Sequence, residues 1–179
     1  MNLTEKKHFV SRRQHNARRG ASSYDKSYVS VFAGLSGANV KNYELSGTRI
    51  ARQTAKSKCE QDDRDFLERA DEMDINADVI VVFGGTNDLG TGDAPIGDFD
   101  SKSEYTFFGA MYCLCKKLLN KYPNAEIVFL TPLHRKDEKF TVDGNGISHE
   151  IPLSEYVSVI KEVAGYYGLP VLDLFIKII

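Results

Sequence analysis

Apolar positions along the chain follow two alternating periods. Residues 78–83 (DVIVVF) and 125–130 (AEIVFL) are short, nearly continuous apolar runs, the pattern of strands covered on both faces. The first stops at Gly84-Gly85. Residues 38–43 (ANVKNY), with Val40 inward, and 170–174 (PVLDL) read as shorter strands. Between these runs the apolar residues recur at helical spacing. Residues 27–35 (SYVSVFAGL) predict a helix ending near Gly37, and 63–73 (DRDFLERADEM) one with Phe66, Leu67 and Ala70 on a single stripe. Residues 104–122 (EYTFFGAMYCLCKKLLNKY) predict a long amphipathic helix closed by Pro123-Asn124, and 153–167 (LSEYVSVIKEVAGYY) one closed by Gly168. Helices of this length between strands imply right-handed crossovers and a parallel sheet with helices on both faces. Ligands of such sheets bind at the carboxyl ends of the strands. Attention therefore falls on the residues after Tyr43, Phe83 and Leu130. The stretch from Lys136 to Pro152 lacks periodicity and contains Asp143-Gly144-Asn145-Gly146, so it reads as a loop over that face.

Charge modifies this picture at one end. The chain has 179 residues and a net charge of −2, yet residues 1–20 hold Lys6, Lys7, Arg12, Arg13, Arg18 and Arg19 against Glu5 alone. This segment reads as a basic, irregular N-terminal arm, with one domain over 21–179 whose compact core begins near Tyr24. The remainder is acidic, so no nucleic-acid partner is expected. The cysteines, Cys59, Cys113 and Cys115, form no CxxC pair. They suggest buried structural thiols rather than a disulfide framework or a metal site. No GxGxxG, GxxxxGK[ST] or GxSxG occurs, so no nucleotide cofactor is indicated, nor a lipase-type nucleophile elbow. The start MNLTEKKHFV lacks an apolar leader core, and no run of 18 apolar residues exists. The expectation is a cytoplasmic protein without a membrane partner.

Candidate chemistry lies in two blocks at strand ends. Glu44-Leu45-Ser46-Gly47-Thr48 follows the first short strand, and Gly84-Gly85-Thr86-Asn87-Asp88 follows the central one. Either block alone would be an ordinary turn. In this order and spacing, with TPLHR at 131–135 and the YYGLPVLDL ending, they resemble blocks two and three of the SGNH (GDSL-like) hydrolase family. The resemblance covers about residues 20–179. It implies a flavodoxin-like three-layer α/β/α sandwich and serine-based hydrolysis of a small-molecule ester, with no cofactor and no metal. It further implies that the Gly47 amide and the Asn87 side chain are oxyanion-hole donors. A glycine turns its amide inward without a Cβ in the way, and an asparagine amide is a fixed, uncharged donor. Thr86, Asp88, His134 and Arg135 are weaker candidates for substrate contact. Arg135 suits a carboxylate or phosphate, although a surface ion pair is the plainer expectation.

Two parts of the family's apparatus are missing from the sequence. No GDS nucleophile motif occurs, and none of His8, His15, His134 and His149 has the Asp-x-x-His spacing. By the family's spacing the nucleophile falls near Arg13–His15. With Arg12 as CGG or AGG, Arg13 as AGA, Gln14 as CAG, His15 as CAT and Asn16 as AAC, reading one base forward gives Gly-Asp-Ser-Ile-Thr. Residues 6–11, shifted alike, can give Lys-Asn-Ile-Leu-Phe-Leu, an apolar strand. Residues 6–18 therefore read as a frame-shifted first strand and nucleophile block, a hypothesis that codons incompatible with the shift would sink. The sequence ends six residues after Asp173, which belongs to VLDL. The expectation is a catalytically impaired chain, C-terminally incomplete, the alternative being a non-catalytic small-ligand-binding module that keeps the pocket.

Overall fold

A computed structural model describes residues 7–12, 23–135, 138, 141–142, 148–149 and 151–176. Its strands and helices in chain order are β1 (Lys7–Arg12), α1 (Tyr28–Ser36), β2 (Asn39–Asn42), α2 (Phe66–Asp71), β3 (Val79–Phe83), α3 (Thr86–Thr91), α4 (Phe107–Lys121), β4 (Glu126–Leu130), β5 (Thr141–Val142), β6 (Ser148–His149), α5 (Leu153–Tyr166) and β7 (Val171–Leu172). The main sheet has the order β2-β1-β3-β4-β7, every pairing parallel.

The expected irregular arm is not what the structure shows for Lys7–Arg12. This segment is a central strand, paired with β2 from Lys7↔Asn39 to Val10↔Asn42 and with β3 from His8↔Val79 to Arg12↔Phe83. The charge-rich sequence concealed it, because a strand inside a parallel sheet normally reads as an apolar run. Its place in the sheet is dictated by its neighbours: β2 and β3 each present an edge that needs a partner for its amides and carbonyls. Residues 1–6 and 13–22, the rest of the supposed arm, lie outside the described residues.

Strand alternation sorts the layers. Ile80 and Val82 of β3, and Ile127 and Phe129 of β4, are buried with α2, α4 and α5 in one core. Phe83 points the other way and meets Tyr28 at the start of α1, ring centroids 6.4 Å apart. The result is a flavodoxin-like three-layer sandwich. Val79, Val81 and Phe83 are only half-buried, so β3 is not covered equally on its two faces as its apolar run suggested.

Local caps explain where helices begin. Expected from residue 104, α4 instead starts at Phe107, because the Thr106 hydroxyl accepts from the Gly109 amide at 3.1 Å. Thr106→Ala should lower stability by about 1 kcal/mol, a fall in Tm of about 2–4 °C by thermal melt. Expected over residues 63–73, α2 is confined to Phe66–Asp71 by Asp65, whose carboxylate accepts from the Glu68 amide at 2.8 Å. A 3-10 turn, Glu60–Asp63, precedes it. The expected loop after β4 contains an antiparallel ladder, Thr141↔His149 and Val142↔Ser148, with β5 beside α3. Cys115 is fully buried and its thiol pushed up to about 12 by desolvation, Cys113 is half-buried, and Cys59, against expectation, is exposed.

Candidate active site

The strand order reverses at β1. The chain moves from β1 outward to β2 and then returns past it to β3. The carboxyl ends at such a reversal diverge and leave a crevice. The segments that follow β2 and β3 border this crevice, and both candidate blocks are there.

Gly85 makes the second block possible. Its backbone is left-handed (φ 98°) and it caps α3 directly after β3, so Thr86, Asn87 and Asp88 form the first turn of a buried helix. Asn87 is 5% exposed, and its Nδ2 donates to the Thr48 carbonyl at 2.8 Å. One of the two Nδ2 hydrogens is thereby occupied and the other remains available. Gly47, half-buried and at φ 86°, immediately precedes Thr48. Among the described residues no group accepts from its amide. A Cβ on Gly47 would overlap the Asp62 carboxylate. The left-handed backbone and this close approach each require glycine.

The loop between these two residues is clamped from below. Asp88 accepts from the Ile50 and Ala51 amides at 3.1 and 2.9 Å. Arg69, buried in α2, donates to Thr48 Oγ1 at 2.7 Å and to the Tyr43 carbonyl. Its desolvation lowers the guanidinium pKa to about 10. Arg49 donates to Thr91 Oγ1 at 3.3 Å. Asp88, expected as a weak substrate contact, thus spends both oxygens on backbone amides and is 3% exposed. Thr86 is also buried.

Burial pushes the Asp88 carboxyl up to about 6, against the opposing pull of the Ala51 and Ile50 amides. The unfolded value is about 3.9, so the native state holds the proton over the interval between the two. Asp88's contribution to stability from this source is whole below about pH 4 and is lost as pH rises through about 6. A carbon-detected titration should give Asp88 a midpoint of about 6. The matching decline in unfolding free energy should vanish in Asp88→Asn.

The segment after β4 supplies the remaining candidates. Pro132 packs beside Gly85, and Arg135 beside Gly90 of α3. No ion pair of Arg135 is found among the described residues, and its Nη1 is buried without a hydrogen-bond partner, so the expected surface pair is not seen. His134 is engaged elsewhere: its Nδ1 lies 2.9 Å from Glu138 Oε2, and its ring stacks on Phe175 at 4.0 Å. Among the described residues no group of three or more His, Cys, Asp or Glu could hold a metal ion, and no helix is long and apolar enough to cross a membrane. Neither Asp62 against Gly47 nor the Thr48 carbonyl under Asn87 was foreseen from the sequence. A turn of acidic residues, Glu60, Asp62 and Asp63, was the visible signal for the first, and nothing marked the second.

Fold and site together define a doubly wound α/β protein with a glycine amide and an asparagine side chain at its switch point. A model of the GDSL-like lipase/acylhydrolase family matches residues 9–173, and the chain belongs to that family. One solved structure, 29% identical, is matched over 98% of this chain and 80% of that one with a TM-score of 0.79. A protein from Lactobacillus plantarum is 23% identical over 95% of this chain and 76% of its own, TM-score 0.69. A GDSL-like protein from Bacteroides ovatus is 20% identical over 94% and 84%, TM-score 0.66. No match is found among the curated proteins.

Proposed function

We propose that this chain carries the oxyanion half of an SGNH-type serine ester hydrolase, with the Gly47 amide and Asn87 Nδ2 as its donors for a small-molecule ester. The free Gly47 amide one residue from the carbonyl that Asn87 anchors carries this reading. Preorganised donors in a partly dry crevice stabilise charge as it develops, and losing one typically costs about 100- to 1000-fold in rate. Thr86 and Arg135 are secondary candidates for substrate contact. Arg135 is favoured over His134 because its Nη1 has no partner while His134 is committed to Glu138 and Phe175.

The nucleophile position is a separate matter. β1 ends at Arg12, directly before Arg13-Gln14-His15, where the family's serine block would stand. No serine occurs at 12–21, which supports the reading that the chain as written turns over no ester. This observation favours the second reading, a ligand-binding module that keeps the pocket. Acetate, the carboxylate of an acetyl-ester product, tests the donors without requiring turnover. It should shift the Gly47 backbone and Asn87 side-chain amide signals together in isotope-labelled protein, and Asn87→Ala should abolish the Gly47 shift. Acetate that moves neither signal would sink the assignment.

A further inference from the structure

Asp62 lays a carboxylate against Gly47, the residue whose amide is proposed to hold developing negative charge. Its position is tied down by its own turn. Arg49 Nη1 donates to the Asp62 carbonyl at 3.3 Å, Gln61 Nε2 reaches the Ser46 carbonyl at 3.4 Å, and the Asp63 carboxylate accepts from the Ser57 amide at 3.0 Å. These bonds lay the Asp62 side chain on Gly47, where a Cβ would overlap it. Asp62 is half-buried, and among the described residues nothing donates to its carboxylate and no cation pairs with it.

An unpaired carboxylate partly withdrawn from water is unfavourable. Next to an oxyanion hole it also repels the charge that the hole exists to stabilise. Both costs are offset when a ligand brings a hydrogen-bond donor to that carboxylate. The open groove bordering the turn suits such a ligand. Leu45 lines it, and around it stand polar side chains, Lys56, Ser57, Gln61, Asp63 and Arg64 among them. Hydroxyl groups find both acceptors and donors among these side chains.

Resting on the reading of Gly47 and Asn87 as oxyanion donors, the geometry points to Asp62 as a specificity-determining residue whose carboxylate accepts from a hydroxyl next to the ester. The ligand class is then an ester of a polyol or sugar, not of a plain alcohol. The test uses the full isotope-labelled chain, following the Gly47 backbone and Asn87 side-chain amides while glycerol monoacetate or ethyl acetate is added. One hydrogen bond to a charged group should make glycerol monoacetate bind about tenfold tighter. Asp62→Asn and Asp62→Ala should bring the two esters within about twofold of each other, with the rest of the amide spectrum unchanged because the carboxylate has no protein partner to lose. Equal affinities in the unsubstituted chain, or a preference that survives both substitutions, would overturn the inference. Acetate separates this from the underlying reading. Removing a like charge in Asp62→Asn should strengthen acetate binding by about threefold. If acetate moves neither amide in the unsubstituted chain or in Asp62→Asn, the oxyanion reading falls and this inference with it. If acetate binds but the esters are not discriminated, only the role of Asp62 falls.

Discussion

Asp88→Ala is expected to destabilise the protein by about 3 kcal/mol, since two buried backbone amides lose their acceptor and each such loss costs about 1–3 kcal/mol. The reduction is held in the lower half of the summed range, about 2–6 kcal/mol, because the carboxylate itself is costly to bury, as its raised pKa of about 6 records. For a domain of this size Tm should fall by about 6–12 °C. The effect should also be local. Ile50 and Ala51 donate to Asp88 at 3.1 and 2.9 Å, so their amide hydrogens should exchange about 100-fold faster in the variant. The same loop carries Gly47, so acetate should perturb the Gly47 amide less. Asp88→Asn keeps one acceptor oxygen and should cost less than the alanine. Unchanged exchange at Ile50 and Ala51 would show that the loop is held by Arg69 and Arg49 without Asp88.

The second large effect concerns β1. Restoring the frame-shifted peptide, with Lys7→Asn, His8→Ile, Phe9→Leu, Val10→Phe, Ser11→Leu, Arg12→Gly, Arg13→Asp and Gln14→Ser, should stabilise the protein strongly. His8→Ile and Ser11→Leu add two large apolar side chains to a strand between two others, each worth about 1.5–3 kcal/mol if fully buried. The expected gain is about 3–6 kcal/mol, a rise in Tm of about 6–24 °C. Scrambling the same replacement residues within 7–14 supplies the control, since composition alone would raise both. A restored chain no more stable than the scramble would contradict the frame-shift hypothesis. Reading the codons for residues 6–18 would check it independently.

Much of the frame was legible in the sequence because it rests on strong periodicity. The apolar runs before Gly84 and after Asn124 became β3 and β4, and α4 and α5 followed their stripes. Where the reading erred, a local or long-range interaction outweighed the pattern. Three residues expected in α4 lie outside it because Thr106 caps at a later point, and the Glu104 carbonyl accepts instead from the Arg52 amide at 2.9 Å. Of the last expected strand only Val171–Leu172 pairs, since Asp173 turns to Thr131 and Lys161 at 3.0 and 2.6 Å. Lys7–Arg12 was missed because its residues carry no strand signal, and its sheet position follows from β2 and β3. Motif order singled out Gly47 and Asn87, which the structure links through the Asn87 Nδ2 bond to the Thr48 carbonyl, but it could not distinguish a substrate contact from a buried clamp at Asp88. Nor could it show Asp62, fifteen residues from Gly47, lying against it.

The proposal joins an oxyanion pair, Gly47 and Asn87, to a segment at 12–21 that holds no serine. Incubating the chain as written with p-nitrophenyl acetate and then with a fluorophosphonate, followed by intact-mass and peptide mass spectrometry, tests that combination most directly. The expected result is hydrolysis at the buffer rate and an unmodified mass. Turnover blocked by a stoichiometric phosphonate adduct on Ser22, Ser23 or any other serine would contradict it.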